Sequence, residues 1–103
     1  MLLHIRSFRP QLGKNAEALA WAKEVGSVFD KEIGPARPTE VLTELFGENG
    51  RVYWLVSWRD WAQYERWRVW ARTDQAWMAL IRRNAEQMLT IPESWKDTLL
   101  ETT

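Results

Sequence analysis

The sequence contains no cysteine. This excludes a disulfide framework, thiol catalysis and thiolate metal ligation, and it fits a reducing cytoplasm. There is no charge excess either. Fourteen Lys and Arg stand against 14 Asp and Glu, so no overall field draws the chain to nucleic acid or to an acidic membrane surface. Long apolar runs are also missing. The opening MLLHIRSF offers two consecutive leucines before His4 and Arg6, too few for the apolar segment of a signal peptide, and no run approaches membrane-spanning length. A soluble protein is expected. With one histidine, no Gly-rich phosphate loop, no GxSxG elbow and no His and carboxylate cluster at ligand spacing, metal hydrolysis, phosphate-loop and serine-esterase chemistry have no carrier. Tryptophan is abundant instead, at eight residues in 103, so aromatic packing must carry much of the core or an interface. The length suits one domain, residues 1–103, with a two-layer core small enough to gain from a partner chain.

The most informative stretch is VLTELFGENGRVYWLVSWRDW, Val41 to Trp61. Asn49-Gly50 between two apolar-rich runs predicts a hairpin with a two-residue type I′ turn. That turn sets Glu48 opposite Arg51. One face then carries the pairs Leu45 with Trp54, Thr43 with Val56 and Val41 with Trp58, and the other carries Phe46 with Tyr53, Glu44 with Leu55 and Leu42 with Ser57. The first face should lie under helices. The second should line something less dry.

Before this hairpin, Leu2 to Phe8 alternates as a strand, with Leu3 and Ile5 on one side and His4, Arg6 and Phe8 on the other. From Lys14 the period becomes helical, with Leu19, Ala22, Val25, Phe29 and Ile33 on one stripe, Asn15 as the cap, and Gly34, Pro35 and Pro38 as the stop. After the hairpin, Asp60 is expected to cap a helix with Tyr64, Trp67 and Ala71 on its inner face. Thr73-Asp74 reads as a second cap. Trp77, Ile81, Asn84, Ala85 and Met88 then follow on a rotated stripe, which predicts a break near Thr73. Pro92 ends that helix, and Trp95 to Leu100 is the last strand.

The order strand, helix, strand, strand, helix, strand is the ferredoxin-like βαββαβ arrangement, an α+β fold whose four-stranded antiparallel sheet carries helices on one face. RSFRPQLGK from the first strand onward, the FGENGRVYW hairpin and the TDQAWMAL start of the late helix resemble the dimeric α/β-barrel superfamily, NIPSNAP-like members in particular. The likeness covers nearly the whole chain and rests on element lengths and a few residue types. It implies a homodimer in which two sheets face each other around a barrel whose interior serves as a ligand or active site. Apolar Leu42, Phe46, Leu55 and Phe8 on the uncovered face agree with such pairing. Relatives range from antibiotic-biosynthesis and haem-degrading monooxygenases to stress-responsive barrels and amino-acid-sensing domains, so the fold leaves function open.

On that reading the candidate ligand-binding residues are His4 and Arg6 from the first strand with Glu44, Tyr53 and Ser57 from the hairpin, together able to hold a carboxylate or phenol and move a proton. The commoner use of His, Arg and Glu on facing strands is an internal salt bridge at a dimer interface. A buried Arg6 would take Glu44 as its counter-ion. Haem-degrading relatives draw their axial histidine from the second helical region, where Asp60 to Leu89 contains none, so no haem and no other cofactor is expected. The six arginines between Arg59 and Arg83 exceed Asp60, Glu65 and Asp74 by three, a smaller excess than nucleic-acid domains show, and helix-surface pairing such as Glu65 with Arg68 accounts for them. The expected role is binding of a small apolar or aromatic molecule by a homodimer. The alternative is a cofactor-independent monooxygenase or isomerase acting on an aromatic or polyketide-like substrate. A ligand-sensing regulator is disfavoured, because no DNA-binding segment accompanies the domain.

Overall fold

The computed structural model describes residues 1–103. Its strands are β1 (Leu2–Phe8), β2 (Glu40–Thr43), β3 (Val52–Trp58) and β4 (Lys96–Glu101), and its helices are α1 (Asn15–Ile33), α2 (Trp61–Thr73) and α3 (Gln75–Glu86), with a 3-10 turn at Pro92–Ser94. The strands form one antiparallel sheet in the order β2-β3-β1-β4. This is the ferredoxin-like α+β fold, with the helices on one face.

Helix α1 packs close because the side it presents to the sheet combines small and large residues: Ala18, Ala22 and Gly26 alternate with Trp21, Val25 and Phe29, all buried. Its N-cap is Lys14 without a side-chain bond, so Asn15 is the first helical residue and not the cap. The helix ends at Gly34, whose φ of 63° is left-handed and whose N–H reaches Asp30 O, the conformation that glycine adopts without steric cost. Asp30 then accepts from Thr39 N at 2.9 Å and from Thr39 Oγ1 at 2.6 Å, tying the helix end to the start of β2.

Asp60 and Asp74 cap α2 and α3 by accepting from Gln63 N and Trp77 N at 2.8 and 2.9 Å. The break falls at Asp74, next to the expected position, because its extended ψ of 117° cannot continue a helix. Helix α3 stops at Glu86, before Pro92 is reached, in a left-handed turn at Met88 (φ 50°) where Leu89 N bonds back to Asn84 O at 3.0 Å.

The hairpin register differs from expectation. Val41 pairs with Trp54, not Trp58, and Leu42 with Tyr53, not Ser57, so β2 is displaced by four positions. Asn49 does not take a positive φ, which a type I′ turn would demand. The chain instead crosses over by a longer loop, closed by Glu44 N to Arg51 O at 2.8 Å and Gly50 N to Glu44 O at 2.9 Å. Side chains stabilise it: the Glu44 carboxylate accepts from Glu48 N, and Glu48 pairs with Arg51 Nε at 2.5 Å. Arg51 is 3% exposed and also donates to Ser7 Oγ and Ser94 O, both at 2.9 Å, so satisfied local polar groups outweigh the tight turn. Leu45 and Phe46 lie in the loop and are exposed. Because four is even, the displacement leaves each strand's sides unchanged.

On β3, Val52, Trp54, Val56 and Trp58 face the helices and are buried. Trp54 Nε1 donates to Ala22 O at 2.8 Å and Trp21 Nε1 to Leu80 O at 2.9 Å, so two indole N–H groups pin sheet to α1 and α1 to α3. Trp54→Ala is expected to cost about 3 to 5 kcal/mol, read from denaturant unfolding; a loss under about 1 kcal/mol would contradict this packing.

Candidate functional site

Strand β1 carries its polar residues inward. Its pairing sets Leu2 beside Trp58, His4 beside Val56, Arg6 beside Trp54 and Phe8 beside Val52, so all four share the helix face. The expectation that His4, Arg6 and Phe8 face outward is therefore corrected. Alternation gave the right grouping, but burial of Leu2 at 2% and Phe8 at 0% exposure at the two ends turns that group in, and Leu3 and Ile5 out. Glu44, Tyr53 and Ser57 belong to the outer side, so the sheet separates them from His4 and Arg6. Glu44 is not the counter-ion of Arg6. It bonds to Tyr53 Oη, and this bond, with the one from Glu48 N, holds its carboxyl below the usual carboxylate range while raising the Tyr53 phenol.

The counter-ion of β1 comes from β4, which the sequence reading did not single out. Asp97 lies directly across from Arg6. Its Oδ1 is 2.5 Å from His4 Nε2 and 3.3 Å from Arg6 Nε. His4 Nδ1 accepts from Trp58 Nε1 at 3.3 Å. With an N–H aimed at Nδ1 and a carboxylate at Nε2, the tautomer assigned by these partners carries its proton on Nε2. Rings of Trp58, Tyr64 and Trp67 stand within 6.3 Å of the imidazole centroid. Burial is the largest influence on His4 and lowers its pKa below 6.5, only partly offset by Asp97. The imidazole is therefore neutral at neutral pH.

Beside this group lies a cavity of about 270 Å³ between the sheet and the three helices. Phe29, Val56 and Trp77 form part of its apolar wall, and Thr39, Asn84, His4 and Arg6 are its polar members. Arg6 and Ile81 are its more exposed members, with Arg6 35% exposed through its side chain. The Arg6 guanidinium lies 6.0 Å from the Trp67 ring and 5.8 Å from the Trp95 ring, a cation held against two indoles. His4 and Asp97 are joined by no third His, Cys, Asp or Glu in a group able to hold a metal ion. No helix is long and apolar enough to cross a membrane.

The lowered pKa of His4 has a consequence for stability. An unfolded imidazole near 6.5 takes up its proton before the folded one does, so stability is lost as pH falls through 6.5 and levels off below the folded value. Denaturant midpoints measured between about pH 7.5 and 5 should fall for the native chain and follow a flatter course for His4→Gln. Parallel profiles would show that burial does not depress the pKa of His4.

The NIPSNAP family profile matches residues 3–101. No curated protein matches the chain. Among solved structures, a NIPSNAP domain protein from Burkholderia xenovorans is similar at 19% identity and a TM-score of 0.76, over 100% of this chain and 95% of that one. A NIPSNAP family protein from Agrobacterium tumefaciens is similar at 22% identity and 0.78, over 99% and 92%. A Deinococcus radiodurans protein that carries the presumptive name antibiotic biosynthesis monooxygenase reaches 13% identity and 0.75, over 100% and 93%. At these identities the structures share the fold alone. The match of the family profile across nearly all of the sequence establishes that the chain belongs to the NIPSNAP family.

Proposed function

We propose that the protein binds a small apolar or aromatic molecule in the cavity between its sheet and helices, and that it does so as a cytoplasmic homodimer joined through the outer face of the sheet. The carrying observation is the cavity itself: about 270 Å³, walled mainly by aromatic and aliphatic side chains, with one polar group, His4, Asp97 and Arg6, at its side. An apolar pocket with a few convergent polar groups is the common form of a small-molecule site. The cysteine-free sequence supports the compartment.

Association is supported by the outer face. Leu3, Ile5, Leu42, Leu55 and Leu100 project from it, with Leu42 and Leu100 45% and 48% exposed and no helix above them. A contiguous apolar surface of this kind is unusual on a soluble monomer. A second copy supplies the matching surface through a two-fold axis. Light scattering at micromolar concentration should return the dimer mass, and a monomer mass would end this part of the proposal.

A second reading, a cofactor-independent monooxygenase or isomerase for an aromatic substrate, draws on one observation. His4 is neutral, oriented by Asp97 on one nitrogen, and held on the other only by a long 3.3 Å bond from Trp58, the condition of a general base. The presumptive name of the Deinococcus radiodurans neighbour points the same way.

Binding is tested with a neutral aromatic probe. 1-Naphthamide should change the emission of the cavity tryptophans saturably, and Val25→Phe, which fills the cavity from α1, should weaken binding about tenfold or more. Absence of saturable binding would refute the cavity as a ligand site.

A further inference from the structure

The polar atoms around the cavity are not balanced. Arg6 donates no hydrogen bond to any protein group: its Nε sits at ion-pair distance from Asp97 Oδ1 but is buried without a hydrogen-bond partner. That oxygen is already taken at 2.5 Å by His4 Nε2. Trp67 Nε1 is a second buried N–H with no partner. Asn84 is a third donor. Thr90 Oγ1 accepts from Trp95 Nε1 at 3.2 Å and gives its own proton to Asn84 Oδ1 at 2.6 Å, which engages the amide oxygen and leaves the amide NH2 without a protein partner.

Acceptors around the cavity are fewer and partly engaged. His4 Nδ1 receives the Trp58 N–H, and the Thr39 hydroxyl donates to Asp30. Of the donors, Arg6 Nε and Trp67 Nε1 are buried, and buried donors without partners are costly unless something arrives to accept from them. An aromatic box of this kind also suits a cationic ligand, but the position against Trp67 and Trp95 is already filled by the Arg6 guanidinium, which repels a second cation.

Resting on the cavity's role as a ligand site, we infer that its ligand is an organic acid: an aromatic or apolar body packed among the tryptophans, with a carboxylate or phenolate oxygen received by Arg6 and supported by the N–H groups of Trp67 and Asn84. Arginine suits this task because its guanidinium stays charged and presents paired donors to an oxyanion. The exposed flank of Arg6 places that oxyanion toward the mouth and the apolar body deeper, toward Phe29 and Val56.

The test compares three probes of one shape on the full chain by calorimetry at about pH 7.5: 1-naphthoate, 1-naphthamide and 1-naphthylmethylammonium. Naphthoate should bind about tenfold tighter than the amide, and the ammonium weakest. Arg6→Gln should bring the naphthoate and amide affinities together, Arg6→Lys should restore part of the preference, and Trp67→Phe should lower it by a smaller factor. If the amide or the ammonium binds as tightly as naphthoate, the acid assignment is overturned while the aromatic cavity stands. If none of the three binds saturably, the cavity reading falls with it. The comparison on the native chain decides the matter even where a variant fails to fold.

Discussion

The pairing of β4 with β1 is the constraint on which the rest of the molecule depends. Strand β1 turns an imidazole and a guanidinium toward the helices, into a layer built from indole rings, where an unpartnered charge is expensive. The carboxylate that answers them comes from β4. Its register puts Asp97 across from Arg6 and within 2.5 Å of His4 Nε2. Shifting β4 by one residue would turn Asp97 to the outer side and leave Lys96 or Thr98 inside, removing the counter-ion from the buried side. Electrostatics thus fixes the strand that apolar patterning fixes least, since five of the six residues of β4 are exposed.

The same indole layer explains why a cavity exists at all. Large flat rings meet one another at steep angles, as Trp21 and Trp54 do at 71° and Phe29 and Trp58 at 84°, and edge-to-face contacts of this kind are favourable. Gly26 on α1 lines the cavity and supplies no side chain to fill it. The layer is kept from collapsing by directional bonds. Indole N–H groups of Trp54 and Trp21 end on helix carbonyls, Trp95 on Thr90, and Trp58 on His4. Trp67 Nε1, by contrast, is buried without an acceptor.

Much of this was legible in the sequence, and the boundary of legibility is physical. Element order, the Asp60 and Asp74 caps, the break between α2 and α3 and the even-numbered grouping on β3 follow from local rules that act within a few residues. The hairpin register did not, because Asn49-Gly50 signals a turn type only when nothing nearby competes. Here Glu44, Glu48 and Arg51 build a longer loop whose anchors, Ser7 and Ser94, are 44 and 43 residues away from Arg51. The inward turn of His4 and Arg6 was likewise invisible to alternation, which groups residues without saying which group is inside. The one available signal was the size of the flanking members: Leu2 and Phe8 outweigh the two polar residues between them. Asp97 was hidden for a different reason. In a mostly exposed strand it looks like any surface carboxylate, and only the sheet order brings it beside the sole histidine.

Strand β1 ends up serving two surfaces with a single alternation. Leu3 and Ile5 feed the outer face assigned to association, while His4 and Arg6 feed the cavity on the inner one, and neighbouring residues on a strand cannot exchange these roles without a change of register. The polar group is therefore complete within one chain. His4, Asp97, Arg6, Trp67 and Asn84 all come from the same protomer, and the outer carboxylate and phenol, Glu44 and Tyr53, satisfy each other without reaching through the sheet. A partner chain lying on the outer face would touch none of the cavity donors directly. It would act on them only by stiffening β1, the central strand that both faces share with β3 and β4. On the proposed reading, association and recognition are separated by the thickness of one sheet, with the ligand met by the donors on its inner side.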